Sequence, residues 1–357
     1  MSGASGAIVA KIRSMYGKRL TPSDYDEMTA MASVASVAGY LASRPSYSEV
    51  MRSLGDGAHR RRTLEDAVRR ARFTEFERLL KYEITVGGRL ADYIISTVEV
   101  ETILRALYAI TPGVADPPDK GSFSGSPYID GHLSFDVDEV FAARTVGGIA
   151  DAVGSSRYRK LLGVFPDGAD AADFIRLEAA LRAEYYTGAV ALFEDEKSGT
   201  ACPEIARMLK DRIDLENVVA AYRLRKFFDP TKEDVLSAMI PGGEMRERTV
   251  LAMASAGSAD GVIEAVRQDS RLKKLIAVID APGPIDEAPV RRVFAESCRL
   301  IRYSASSAAV TASYFNVVSV ECDNVIKIIE GKRYGIPPAA IREMLILDNG
   351  SYRKGGR

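Results

Sequence analysis

The sequence predicts an all-α protein built from three related helical units, and three observations carry that prediction. Apolar residues recur at intervals of three and four through most of the chain, and no segment of any length alternates with the period of a strand. A short pattern occurs three times: an apolar residue, an acid, any residue, a second acid, Asn or Thr, then two apolar residues. It reads VEVETILRA at Val98–Ala106, IDLENVVAAYRL at Ile213–Leu224 and VECDNVIKIIE at Val320–Glu330. The flanking stretches repeat as well. VAGYLASRPSYSEVM (Val37–Met51), GIADAVGSSRYRKLL (Gly148–Leu162) and GVIEAVRQDSRLKKLI (Gly261–Ile276) place Tyr47, Tyr158 and Leu272 at one matched position, with spacings of 111 and 114 residues. A period of that length is the mark of repeated units, each the size of a small domain. The expected organisation is an N-terminal helix over 1–24 and units over 25–132, 133–243 and 244–357, related by an approximate threefold.

Within the pattern, Glu99 and Thr102, Asp214 and Asn217, and Glu321 and Asn324 are each three apart, so each pair shares one helix face. Acids in a first turn suit the helix dipole, and the pattern is read here as a helix start. Asn217 lies 23 residues before Ile240 of IPGG, and Asn324 lies 23 before Leu347 of LDNG. Thr102 precedes Ile129 of IDGH by four residues more. Glycine after an apolar run is a usual helix stop, so these spacings are taken as helix lengths. Two roles are open to the six residues. Either the acids cap their helices by accepting backbone N–H bonds, or the polar pairs face a common axis and form a subunit interface, where charge guides docking.

Taken from the start, the segment ending at Leu20 has helical spacing with Lys11, Arg13, Lys18 and Arg19 on its polar side. Thr21-Pro22-Ser23-Asp24 breaks it and supplies capping residues for the next helix. Helical pattern runs from Tyr25 to Leu54 with an interruption at Arg44-Pro45-Ser46. Leu64–Tyr82 is amphipathic, with Leu64, Val68, Phe73, Phe76, Leu79 and Leu80 on the buried side and the arginines between Arg60 and Arg72 read as a solvated face. The Pro- and Gly-rich stretch Thr111–Ser134 reads as a loop between units. Unit two carries an insertion near Glu194–Pro203, expected on the surface.

Composition excludes several function classes. The 357 residues are 46% apolar with a net charge of −1, which suits a large core and gives no sign of a nucleic-acid partner. Cys202, Cys298 and Cys322 are too few and unpaired in spacing for a disulfide framework, which points to a reducing compartment. The first residues lack the pattern of a signal peptide. Tyr303–Val320 holds eighteen uncharged residues, long enough to raise the question of a membrane span. Its richness in Ser, Thr, Asn and Ala instead predicts a close-packed buried helix. No phosphate loop and no dinucleotide fingerprint occur. His59 and His132 stand without zinc-site spacing, and the acid clusters at Asp136–Glu139 and Glu194–Glu196 do not fit a calcium loop. No catalytic residue, metal ligand or cofactor is expected.

The opening VAKIRSM (Val9–Met15), the Tyr47 turn, DLENVVAAYRLRKFF with its following IPGG (Asp214–Gly243) and VECDNVIKIIEGKRYGIPPAAIREML (Val320–Leu345) together resemble the C subunit of the archaeal-type (A-type, also called V-type) rotary ATP synthase. That family is related to the d subunit of the vacuolar proton pump, and the resemblance runs from Val9 to Leu347. It implies a funnel-shaped helical body on the central stalk that joins the rotor shaft of the catalytic head to the membrane proteolipid ring and transmits torque between them. It further implies a peripheral place on the cytoplasmic face of the cell membrane without direct insertion, and no catalysis by this chain. From the residues alone, a helical-repeat scaffold or enzyme with a ligand in its central cavity is the other class that fits, since bundles build sites between helices.

Overall fold

Thr21 starts its helix as the sequence requires: its side chain accepts from the Asp24 N–H while the Asp24 carboxylate accepts from the Thr21 N–H, with Pro22 at the first turn. In the computed structural model, which describes residues 3–54, 61–84, 90–110, 129, 131–165, 171–195 and 201–348, every regular element among the described residues is helical. In chain order these are α1 (Gly3–Tyr16), α2 (Pro22–Ala30), α3 (Val34–Ala42), α4 (Ser48–Arg52), α5 (Arg61–Ile84) and α6 (Leu90–Ile110). Then come the short α7 (Val137–Ala142), α8 (Val146–Ala152) and α9 (Tyr158–Leu162), followed by the long α10 (Ala171–Glu194) and α11 (Pro203–Phe227). Short helices return as α12 (Lys232–Ser237), α13 (Glu247–Ala254), α14 (Ala259–Arg267) and α15 (Lys273–Ile279), with a 3-10 turn at Ser270–Leu272. The chain ends with α16 (Ala288–Tyr303), α17 (Ser307–Arg333) and α18 (Pro338–Glu343). Most of the Thr111–Ser134 loop, the side chain of Leu80 and part of the Glu194–Pro203 insertion lie outside the described residues.

The chain divides into two compact units. The first is made of Met1–Leu90, Gly121–Gly131 and Phe294–Arg357, and the second of Ala91–Lys120 and His132–Val293. In the first unit, α17 is the centre, packed by α1, α2, α3 and α5. From Ser307 on, the uncharged stretch forms the N-terminal half of this helix, with residues 309–318 all buried, while Tyr303 ends α16 and is exposed. A helix covered on every side needs no polar stripe. Its small side chains let neighbours approach closely, and the Phe76 and Phe315 rings meet with centroids 4.1 Å apart. Burying each such ring stabilises by roughly 1.5–3 kcal/mol. Among the described residues no helix is long and apolar enough to cross a membrane.

Leu64, Val68, Phe73, Phe76 and Leu79 are buried, as the spacing in α5 requires. The arginines of that helix are not uniformly solvated: Arg72 is buried, with its guanidinium 4.9 Å from the Phe73 ring centroid and 6.0 Å from those of Phe76 and Phe315. A flat, weakly hydrated cation tolerates aromatic cover where an ammonium would not.

The second unit pairs α10 with α11 and lays α13 and α14 against α11. Its apolar core runs from Leu215, Val218 and Leu224 on α11 to Met253, Val262, Val266, Leu272 and Leu275. Between α10 and α11 a charged cluster is also enclosed. Arg182 donates to Glu216 and to Glu178, both at 2.7 Å, and Arg212 and the Tyr186 hydroxyl approach the same Glu216 carboxylate.

The small-residue helix yields a direct test. Ala312→Leu, at a fully buried position of α17, should cost about 1–3 kcal/mol by overpacking. Ala35→Leu on the exposed side of α3 should stay within about 0.5 kcal/mol, both read from urea unfolding.

Candidate functional site

Glu99, Asp214 and Glu321 are not at helix starts. They lie in the middle of α6, α11 and α17, so the capping role expected for them is replaced by a tertiary one. All six residues of the repeated pairs are buried in the chain, none more than 5% exposed. The reason is visible in their partners. Each carboxylate accepts a backbone N–H from the loop that leads into a short helix, and thereby fixes where that helix begins.

In the first unit Glu321 accepts from the N–H of Leu20, just before α2, at 3.2 Å. The Tyr47 hydroxyl donates to the same carboxylate at 2.8 Å. Arg19 grips it from the side, donating through Nε at 3.0 Å and through Nη2 by a second, shorter bond. Arg19 also donates to Glu75 at 2.7 Å, and Glu75 accepts from the Tyr314 hydroxyl at 2.8 Å. Placed on a polar face by the helical spacing of the first segment, Arg19 is in fact enclosed, because the chain turns inward after α1. Burial alone would lower its pKa, but Glu321 and Glu75 outweigh that and raise it. Burial likewise pushes the Tyr47 hydroxyl well up, so it remains a donor. A cavity of about 490 Å³ opens beside this cluster, with Tyr16, Tyr25, Arg19, Glu321, Arg302 and Asp348 in its wall. Arg302 donates to Asp348 and, at 2.9 Å, to the Tyr16 hydroxyl.

In the second unit Glu99 is held in a similar way. It accepts from the N–H of Ser134, before α7, at 2.9 Å and from the Tyr158 hydroxyl at 2.9 Å. The cation is Arg157, which stacks on the Tyr158 ring, donates to its hydroxyl at 2.7 Å and stands 3.6 Å from Glu99. Asp214 is different. Leu272 at the matched position brings no hydroxyl and joins the apolar core instead. Both Asp214 oxygens accept backbone N–H bonds, from Glu244 at 3.0 Å and Met245 at 3.1 Å, before α13. Gly243 makes this possible: a Cβ there would stand 2.0 Å from Oδ1. Gly242 has a φ of 91°, which glycine adopts freely.

The amides form a second clasp. Asn217 donates to the Ile240 carbonyl at 2.9 Å and accepts from the Ile240 N–H at 2.7 Å. Asn324 repeats the exchange with Ile346, at 2.7 and 2.9 Å. The 23-residue spacing read as helix length is thus the span of a side-chain clasp, and in the last copy its partner is Ile346, one residue before Leu347. A primary amide can donate and accept on one edge, as this exchange demands. Thr102 cannot, and its hydroxyl donates instead to the Val98 carbonyl of its own helix at 2.7 Å.

Arg19, Glu75 and Arg157 are the members that the sequence reading missed, since nothing in their spacing marks them. The tyrosines were findable, because Tyr47 and Tyr158 stand at the same point of the repeat. No disulfide joins the three cysteines, all of which are buried, and burial pushes the thiols of Cys298 and Cys322 up to about 11 and about 12, so neither is a ready nucleophile. Among the described residues no group of three or more His, Cys, Asp or Glu side chains could hold a metal ion.

Fold and site together define an all-helical protein whose buried acids and amides are spent on fixing loops to long helices. The family model described as the ATP synthase (C/AC39) subunit matches residues 8–344, and the chain belongs to that family. It is therefore a subunit of the A/V-type ATP synthase class, as the resemblance of its repeats implied. No individual curated protein matches it at a significant level.

Four substitutions test the clasps. Arg19→Ala leaves two carboxylates without their buried cation and should cost about 3–5 kcal/mol, against about 1.5–3 kcal/mol for Tyr47→Phe; equal, small effects in urea melts would contradict the cluster described. Gly243→Ala should cost about 1–3 kcal/mol by forcing the Asp214 carboxylate away. Gly257→Ala, with nothing within 4 Å, should change stability by no more than about 0.5 kcal/mol.

Proposed function

We propose that this chain is the central-stalk coupling subunit of a rotary A/V-type ATP synthase, seated between the rotor shaft of the catalytic head and the membrane proteolipid ring. The reading rests on the match of residues 8–344 to the ATP synthase (C/AC39) family. In this role the chain turns with both partners and transmits torque, so that ATP synthesis or hydrolysis in other subunits is coupled to proton or sodium movement elsewhere in the complex. It performs no catalysis itself and holds no cofactor. It is peripheral, on the cytoplasmic face of the membrane. The lack of a crossing-length apolar helix among the described residues is consistent with that place.

The three-unit organisation belongs to the same proposal, in an altered form. Glu99 of the first repeat is bonded by Tyr158 of the second, and Glu321 of the third by Tyr47 of the first. Leu215 and Val218, beside Asp214 on the helix of the second repeat, share an apolar core with Leu272 of the third. Each module thus takes its acid-bearing helix from one repeat and its short helices from the next. The acid and amide pairs are clasps within modules in this reading, and other residues, on the outer faces, meet the shaft and ring.

Tagging the chain in its own host tests the role. The tagged protein should co-purify with shaft and ring subunits. Cells lacking the chain should retain ATP hydrolysis by the soluble head and lose ATP-driven ion pumping. A complex that assembles and pumps without it would overturn the proposal, as would ATP turnover that follows the purified chain.

A further inference from the structure

Of the three buried acids, Asp214 is the one whose enclosure is least balanced. Glu321 has a guanidinium gripping it and a tyrosine hydroxyl donating to it, and Glu99 has a hydroxyl with an arginine 3.6 Å away. Asp214, 1% exposed, accepts from two backbone N–H groups, of Glu244 and Met245. The charged groups around it do not repair this. Asp211 on its own helix is an acid, and its guanidinium partner, Arg292 of α16 at 2.9 Å, is spent on it. Glu244 on the facing loop is a second acid. From the 3-10 turn, Arg271 reaches the Glu244 carbonyl at 3.5 Å and the buried Asp269 at 3.7 Å. An ionised carboxylate buried without a counter-ion is costly, and the cost disappears on protonation.

The loop that holds Asp214 meets it through bare backbone. It links α12 to α13, contains Gly242 at a positive φ, and touches the carboxylate through Gly243, with no side chain between. Releasing residues 241–246 would return the carboxylate to water. We propose that Asp214 and this glycine loop form a pH-sensitive latch, closed most firmly when Asp214 is protonated and loosened when it ionises. This is a property of the chain itself and stands or falls apart from the coupling role.

The direction follows from linkage. Burial pushes the Asp214 carboxyl up from 3.8 to about 6, Asp211 and Glu244 add to the rise, and the two N–H donors oppose it without cancelling it. Because the closed form binds the proton more tightly than the open one, closure is strongest below the open-state value of 3.8 and weakens as pH rises through about 6. A difference of this size changes the opening constant by roughly 100-fold at most between the two limits.

Native-state hydrogen exchange on the full chain reads this. After correction for intrinsic rates, the opening constants of the Glu244 and Met245 amides should rise roughly 10- to 100-fold between pH 4.5 and pH 7.5. The Ile346 amide, held by the uncharged Asn324, should show no such trend. Asp214→Asn, uncharged at every pH, should abolish the slope. Carbon NMR of the wild-type Asp214 carboxyl supplies a reading that needs no variant, with an expected midpoint near 6. Opening constants independent of pH, a slope that survives Asp214→Asn, or a midpoint near 3.8 would each overturn the latch.

Discussion

A carboxylate placed in the middle of a buried helix has no way to reach water, and the rest of this chain is arranged around that constraint. Its own helix cannot satisfy it, because the backbone donors there are already engaged in the i to i−4 ladder. The donors must come from elsewhere in the chain. Here they come from loops: Leu20, Ser134, Glu244 and Met245 present N–H groups at points just before short helices begin. The acid therefore does two things at once. It is satisfied, and it fixes the point from which the next helix starts against the long one.

Different local chemistry meets the same demand at each acid. At Glu321 the first segment of the chain supplies Arg19 and Leu20, so a helix near the C-terminus is tied to residues some 300 positions earlier. Arg13 strengthens that tie by donating to the carbonyls of Ile301 and Ser304, both at 2.8 Å, at the C-terminal end of α16. At Glu99 the cation arrives stacked on the tyrosine that it also bonds. Asp214 has neither cation nor hydroxyl, and compensates with a shorter side chain and a glycine that lets two N–H groups approach. The bare backbone at 243 is essential to that approach, since a Cβ there would stand 2.0 Å from Asp214 Oδ1.

The sequence made the helices legible because apolar spacing and capping residues act locally. Thr21 with Asp24 is a sufficient signal on its own, and the outcome at α2 follows it closely. The repeated pairs were legible as positions but not as roles. An acid with an amide three residues later reads the same whether it opens a helix or lies buried in one, and only the packing of other segments decides between them. The 23-residue interval from Asn217 to Ile240 was visible for the same reason, yet a length count cannot distinguish the end of a helix from the reach of a side-chain amide. Arg19 and Arg72 were misplaced because a guanidinium is apolar on its faces and charged on its rim. Periodicity assigns it to solvent, while carboxylates or aromatic rings can draw it inside.

For the coupling role proposed above, the kind of bond at these joints matters more than its strength. Hydrophobic burial is non-directional, so two helices held only by apolar contact can slide over one another with little change in buried area. A carboxylate accepting from a fixed N–H, or an amide exchanging two bonds with one peptide, loses those bonds after a displacement of about 1 Å. Buried clasps of this type give each short helix one register against its long helix and resist shear along it. A body that must pass a turning force from one partner to another needs that resistance inside each module, whereas a ligand-binding scaffold would gain nothing from it. On this argument the burial of the acids and amides suits an internal clasp, since each side chain holds the loop that positions the next helix.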